Sequence, residues 1–364
     1  MNVNTSQFSE YEYQIYAKQI VLPEIQSTGQ IRLKQARVLA IGAGGLGSSS
    51  LMYLASCGIG NIGIIDHDIV ERSNLHRQIL YDTLDVGSFK SNCAKNTLKK
   101  RNPLCQLRVF KNKFTVHNAY TIAKEYDIIL DNTDNYDTRW LISNVCQQLH
   151  KVHIYGAISS FEGQVSVFNY QNGPNYNDLK PYNNTGNSNI CDTRGVIGIL
   201  PGIIGMFQAT EVLKIILGLG NIISGHIVVY NILEAKFKKI KLVSRKRSNI
   251  NILKTAQHNQ HKQLFTKNIQ KISLTDIKNF ILTNKKSIYL IDIRNEAEYN
   301  LGHLHGAINI PLQKLCKQYN LQQIKTRSCG YRIVIYCNSL SRSYIANKML
   351  KSVNTKCSII NTSF

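Results

Sequence analysis

Short apolar runs separated by polar segments set the pattern of this chain. Residues 37–41, 61–65, 107–110 and 126–130 are rich in Val, Ile and Leu, as expected of strands covered on both faces. Between them, 48–56 and 91–100 show helical patterns. Strand and helix in alternation predict βαβ units and a mostly parallel sheet, hence an α/β fold of Rossmann-like type. Further strands around 164–169 and 226–231 extend that sheet. The longest apolar stretch, 196–219, is interrupted by Gln208, Glu211 and Lys214 and reads as a core loop and helix, short of an unbroken membrane span. A polar stretch at 244–268, rich in Lys, Asn, Gln and His, reads as a linker. From Ile272 a second alternation begins, with strands at 288–293 and 332–336 and a helix after Arg342. The expected organisation is a domain over 1–243, a linker over 244–270 and a small α/β domain over 271–364, with no internal repeat and no heptad array.

Composition sharpens this picture in three ways. A chain of 364 residues with 43% hydrophobic content has room for two domains. Nine cysteines, an odd number without a Cys-x-x-Cys pair, argue against a disulfide framework and against a simple structural zinc site, and point to a reducing compartment. The formal charge of +22 accompanies an excess of Lys, Asn and Ile, the signature of an AT-rich genome. The expected setting is a plastid, with the protein encoded in the organelle; a low-GC bacterial cytoplasm is the alternative. Basic clusters at 99–101 and 236–247 keep an RNA-docking role open. The N-terminus carries Glu10 and Glu12 and enters a helical pattern at once, unlike a signal or transit peptide.

Candidate chemistry starts at the first strand. Gly42, Gly44, Gly45 and Gly47 follow residues 37–41 and open a helix, so backbone N–H groups and a helix N-terminus can meet phosphates. Asp66 lies about 20 residues further on, where an acidic side chain holds ribose hydroxyls. This much fits an NAD-dependent dehydrogenase equally well. The charged groups beyond Asp66 do not: Asn74 and Arg77 in Ser-Asn-Leu-His-Arg-Gln, then Lys90, then Asp131 and Asp134 in Asp-Asn-Thr-Asp-Asn. Hydride transfer has no use for these groups. Attack of a carboxylate on the α-phosphorus of ATP expels pyrophosphate, and there Arg and Lys stabilise phosphate charge while a carboxylate holds Mg²⁺. Asp131 ends a strand and Asp134 follows in its loop, where open α/β sheets place ligands.

These motifs, Ala-Ile-Gly-Ala-Gly-Gly-Leu-Gly (40–47), Ser-Asn-Leu-His-Arg-Gln (73–78), Asp-Asn-Thr-Asp-Asn (131–135) and Glu-Gly-Gln (162–164), resemble the molybdopterin-synthase and ThiF-type adenylyltransferases, relatives of the ubiquitin-activating enzymes. The resemblance runs over about 13–242. It implies ATP and Mg²⁺, a homodimer, and a ubiquitin-like sulfur-carrier substrate whose C-terminal Gly-Gly tail becomes an acyl-adenylate. Molybdopterin synthesis is the leading pathway and thiamine synthesis the runner-up. By motif position, Asp66, Asn74, Arg77, Lys90 and Asp134 take the nucleotide-binding and catalytic roles, with Mg²⁺ on Asp134. Lys18 stands where the family has an Arg that reaches the partner subunit's triphosphate; it keeps the charge and loses the planar fork. Many members also bind zinc through two Cys-x-x-Cys pairs. The matching stretches here, 175–178 and 248–251, offer Asn, Tyr, Asp, Ser and Ile, so no zinc is expected.

Sulfur chemistry is expected at two cysteines. Cys191 matches a cysteine that related enzymes use in a covalent or persulfide link, and Arg194 would favour its thiolate; the alternative is a small core residue. Towards the C-terminus, Ile-Asp-Ile-Arg (291–294) with Glu298, then 302–311, then Tyr-Cys-Asn-Ser-Leu-Ser-Arg-Ser (336–343) resemble rhodanese domains. That resemblance implies a persulfide on Cys337, stabilised by Arg342 and a helix N-terminus, with sulfur loaded by a donor such as a cysteine desulfurase. Leu340 stands where rhodanese loops commonly have Gly, which leaves a docking module as the alternative.

Overall fold

The computed structural model describes residues 8–179, 195–242, 271–272, 288–315, 318–328, 331–337 and 340–360. They fall into two units, Met1–Lys246 and Arg247–Phe364.

In the first unit, β1 (Arg37–Ile41) and β2 (Asn61–Ile65) form where the apolar runs place them, followed by β3 (Gln106–Phe110) and β4 (Ile128–Asp131). β4 starts later than the sequence pattern suggests, because Asp127 is spent on Arg37: its N–H donates to Arg37 O, and its carboxylate accepts from Arg37 N. Helices α1 (Glu10–Ile20) and α2 (Gln26–Gln35) precede β1; α3 (Gly45–Ser56), α4 (Lys90–Arg101) and α5 (Ala119–Ala123) connect the strands, and α6 (Tyr136–Gln148) follows β4. Then come β5 (Val152–Ser159), β6 (Glu162–Phe168), α7 (Ile199–Leu217), β7 (His226–Asn231) and β8 (Lys236–Lys241).

The sheet order is β3-β2-β1-β4-β5-β6-β7-β8. Pairing is parallel from β3 to β5 and antiparallel from β5 to β8. The parallel half shows why its strands read as unbroken apolar runs. Val38 and Ala40 pack with Ile62, Ile64, Ile128 and Leu130 against Leu51 and Leu54 of α3 and Leu98 of α4. Leu39 and Ile41 face the other way, with Ile129 and with Ile142 and Val145 of α6. Both faces are covered, so both parities must be apolar. Between β1 and β4 the strand order reverses, and a crevice opens at the strands' C-terminal ends. At the far edge, the lysines of the fully exposed β8 guard the end of the sheet against further pairing.

α7 fills most of the apolar stretch noted above and is long and apolar enough to cross a membrane by composition. Here it packs on α3, β5 and β6 and buries Leu200, Ile204, Ala209 and Val212. Its buried Glu211 accepts from Lys214 Nζ (2.6 Å) and from Ile223 N (2.8 Å), so even the interrupting charges are partnered.

The second unit is a five-stranded parallel sheet, order β11-β10-β12-β13-β9, of β9 (Lys271–Ile272), β10 (Ile288–Asp292), β11 (Ile308–Asn309), β12 (Arg332–Tyr336) and β13 (Cys357–Ile360). Helices α8 (Glu296–Asn300), α9 (Leu312–Leu315), α10 (Gln318–Arg327) and α11 (Leu340–Ser352) complete it. Ile291, Ile333, Ile335 and Ile359 pack against Leu312, Ala346 and Leu350, while Leu290, Val334 and Ile360 line the opposite face. α11 begins at Leu340, which corrects the expectation of a helix starting after Arg342.

The contact of α3 with α7 is testable. A Cβ on Gly205 would lie 2.2 Å from Ser49 Oγ and 2.3 Å from Leu46 O, and the latter is backbone that cannot swing aside. Gly205→Ala should therefore lose about 1–3 kcal/mol to overpacking, outweighing the gain of up to about 1 kcal/mol in helix propensity. Urea unfolding followed by Trp140, the single tryptophan, checks this; a stabilised variant would contradict it.

A candidate nucleotide-binding cleft

A cleft of about 910 Å³ occupies the crevice at the ends of β1, β2 and β4. Its floor is the glycine turn. Gly42 leaves β1 at φ +95°, and a Cβ there would stand 2.9 Å from Asn132 O. Gly44 is the N-cap of α3, and Gly44 and Gly45 both line the cleft. Gly47 is buried and does not: a Cβ on it would meet Gly42 O at 2.6 Å, so its task is to seat the helix against the turn.

Asp66 ends the β2 side. Its Oδ2 accepts from Ala43 N and its Oδ1 from Asp68 N, both at 2.8 Å. Burial pushes its carboxyl up, and those two N–H groups and the Lys90 charge pull part of the way back. Tyr81 Oη donates to Ala43 O at 2.7 Å, so the turn is gripped on both its polar groups. Asp68, which no sequence motif singles out, holds Lys90 Nζ at 3.0 Å from its Oδ2. Lys90 is buried at the start of α4, and only the Asp-x-Asp spacing behind β2 could have flagged its partner.

Asn74, Arg77 and Gln78 enter the cleft from the turn between β2 and α4. Asn74 Oδ1 accepts from Glu71 N (3.1 Å), capping the short helical turn Arg72–Asn74. Arg77 Nη1 donates to Ser73 O (2.8 Å), which holds the guanidinium over the cleft. Gln78 is buried, and its Oε1 has no hydrogen-bond partner among the described residues.

The β4 side requires a correction. The motif places both Asp131 and Asp134 at the ligand, yet only Asp134 lines the cleft. Asp131 is still on the strand, in register with Ile41 and Tyr155, and its side chain is wholly buried. Its Oδ2 lies 3.0 Å from His153 Nε2, and its Oδ1 accepts from Thr133 N (3.0 Å) and Oγ1 (2.7 Å). Burial works to raise this carboxyl, but His153 and its neighbours hold it below the ordinary carboxylate value. Arg139, like Asp68 outside the sequence motifs, lines the cleft and donates from Nη2 to Thr133 O at 2.6 Å.

The remaining expected residues lie apart. Lys18 is exposed on α1 and does not line the cleft of its own chain. Cys191 and Arg194 lie outside the described residues, as do 248–251. At 175–178 the side chains cap their own turn: Asn175 N donates to Asp178 Oδ2 and Asn177 N to Asn175 Oδ1, both at 2.9 Å. In the second unit, Cys337 follows β12 and is 1% exposed, inside the apolar cluster with Ile335 and Ala346. Arg342 sits in the first turn of α11 and pairs with Glu298, Nη1 to Oε2 at 3.2 Å. This corrects the expectation of a guanidinium placed just before the helix: Arg342 is already its third residue.

A doubly wound sheet, a glycine turn opening a helix and cations facing carboxylates across one crevice define a nucleotide-binding α/β protein with an attached second domain. The chain belongs to the ThiF family, which matches residues 16–252, and carries a rhodanese-like domain, which matches 273–364. It is 43% identical over 349 residues to the "Probable molybdopterin-synthase adenylyltransferase" of Gracilaria tenuistipitata var. liui, covering 96% of each chain. To the "Probable adenylyltransferase/sulfurtransferase MoeZ" of Mycobacterium tuberculosis it is 33% identical over 350 residues, 93% of this chain and 88% of that one. The "Sulfur carrier protein adenylyltransferase" of Thermus thermophilus is 40% identical over 239 residues, 64% of this chain and 88% of that one. Among solved structures, Escherichia coli MccB with ATP shares the fold, with a TM-score of 0.55 at 21% identity over 61% of this chain and 68% of that one.

The depressed Asp131 carboxyl has a pH signature. Its contribution to stability is complete above the ordinary carboxylate pKa of about 4 and is lost as pH falls through its lower value in the folded state. At pH 7, Asp131→Asn should therefore unfold more easily than the wild type by about 2 kcal/mol, the scale of a hydrogen bond to a charged group. The gap should close on acidification below pH of about 4. Urea titrations at several pH values, read by Trp140 fluorescence, measure it; a gap that stays constant into acid would contradict the assignment.

Proposed function

We propose that this protein is an ATP-dependent adenylyltransferase that activates the C-terminal glycine carboxylate of a ubiquitin-like sulfur carrier, the small subunit of molybdopterin synthase foremost. The convergence of the α3 N-terminus, Arg77, Lys90 and Asp134 on one cleft carries this reading. The triphosphate lies on the glycine turn, where unpaired N–H groups and the helix dipole favour anions. The carrier's carboxylate attacks the α-phosphorus, pyrophosphate leaves, and Arg77 and Lys90 stabilise the charge that develops on the phosphate oxygens. Lys90 enters the reaction already oriented by Asp68.

Asp134 suits a hard divalent cation. It is an exposed carboxylate in the cleft whose hydrogen bond from Asn135 Nδ2 is long, at 3.4 Å, whereas the oxygens of Asp66 are already occupied by backbone N–H groups. Mg²⁺ held there would offset phosphate charge. Lys18, exposed on α1, supports a homodimer in which it reaches the partner's triphosphate. The sulfur step uses the rhodanese-like unit: a cysteine desulfurase loads Cys337, and the persulfide's terminal sulfur attacks the acyl-adenylate as AMP leaves.

Two experiments test these steps. Pyrophosphate exchange into ATP should depend on a carrier ending in Gly-Gly, and the carrier that stimulates it names the pathway. Arg77→Ala and Lys90→Ala should each cut that exchange by about 10²–10³-fold; wild-type rates in either variant, or no exchange with any such carrier, would overturn the proposal. Cys337→Ser should leave exchange intact and abolish sulfur transfer to the adenylated carrier. A wild-type chain that never holds a persulfide on incubation with a desulfurase and cysteine removes Cys337 from the mechanism.

A further inference from the structure

The residues leading to Asp134 are each tied to a different element. Asp131 O accepts from Gln208 Nε2 of α7 at 2.7 Å, and its carboxylate joins His153 of β5 to Thr133. Asn132 N donates to Ile41 O (3.0 Å) and its Nδ2 to Gly42 O (3.2 Å). Thr133 O takes the Arg139 guanidinium of α6. Asp134 itself, one residue on, is exposed to the cleft. A carboxylate open to a ligand thus stands on a turn clamped from behind.

Among these clamps His153 is the one whose removal the turn cannot absorb. It is 0% exposed, between Phe168 and Tyr176 at ring distances of 5.6 and 6.3 Å. An ionised carboxylate only accepts, so Nε2 donates to Asp131. Nδ1 is left buried without a partner among the described residues, so the ring's single committed polar contact there is with Asp131. With an apolar side chain at 153, Asp131 would be a buried charge lacking the donor to its Oδ2. It would take up a proton or turn away, and either change weakens the two bonds that define the Thr133 turn.

We propose that His153, acting through Asp131, is a positioning residue that fixes the Thr133 turn and so aims Asp134 into the cleft. The inference rests on the role given to Asp134 above. It predicts a loss in the chemical step and in Mg²⁺ use, with nucleotide affinity spared, because Ala43 of the glycine turn, Asp66 and Lys90 are held by bonds that involve none of Asp131, Thr133 and His153.

The test uses the full chain with His153→Leu and His153→Gln. Leu should lower kcat for carrier-dependent pyrophosphate exchange by about 10–100-fold, the cost of a misplacement of about 1 Å. KM for ATP should stay within about 3-fold, and the Mg²⁺ concentration for half-maximal rate should rise. Gln, whose Nε2 can donate to Asp131, should recover most of the rate. Hydrogen exchange at the Thr133 amide should quicken in Leu and return towards wild type in Gln. Wild-type kcat and Mg²⁺ dependence in Leu, or an unchanged Thr133 amide, overturns the proposal. If Leu fails to fold by Trp140 fluorescence, Thr133→Val decides, since it removes only the Oγ1 bond to Asp131: a reduced kcat at constant KM supports the proposal and a wild-type kcat overturns it. Should the wild type show no exchange with any carrier, the adenylation reading fails, while the Thr133 amide still reports whether His153 holds the turn.

Discussion

The carboxylate of Asp66 is the hinge of the site. One oxygen accepts from Ala43 N in the glycine turn and the other from Asp68 N. The first bond fixes the loop that opens α3, and the second orients the side chain that holds Lys90. A single buried group therefore couples the glycine turn to the Lys90 ammonium, and removing its charge would loosen both. Its burial raises the cost of ionisation, which the two N–H donors offset only in part.

Asp131 performs the matching task on the β4 side, with a different outcome for its own chemistry. Being the last strand residue, it points into the protein and cannot meet a ligand. Instead it spends its oxygens on His153 and Thr133 and sets the turn from which Asp134 emerges. Both halves of the cleft are thus built alike: a buried carboxylate at a strand end organises backbone, and a residue two or three positions further on faces the cleft. Preorganisation of this kind places charge before the substrate arrives, which is what makes it effective against charge developing in a transition state.

Much of the fold is legible in the chain. β1, β2, β7 and β12 lie where the apolar runs put them; for β1, β2 and β12 this is because a strand covered on both faces has to be apolar at both parities. β5 and β8 are not legible, for physical reasons. β5 buries His153 and Tyr155, each with a hydrogen-bond partner on a neighbouring strand, Asp131 of β4 and Gln164 of β6, and β8 is a lysine-rich edge with no face to bury. In the cleft, Gly42, Gly44, Gly45, Asp66, Asn74, Arg77, Lys90 and Asp134 lie where motif order puts them, while Gly47 does not line it. Asp68 and Arg139 do not, since their partners, Lys90 and Thr133 O, belong to other elements.

Residue types and their order along the chain determined that an α/β sheet would form, that a glycine turn would open its first helix, and that cations and acids would follow it. Local spacing suffices for this, because strand and helix periodicity and the freedom of glycine act within a few residues. The tertiary structure alone decided which of two acids three residues apart faces the cleft, which acid holds Lys90, and that Arg342 is engaged by Glu298. Those outcomes depend on strand register and on side chains brought in from distant elements, and a buried charge takes whichever partner packing sets beside it.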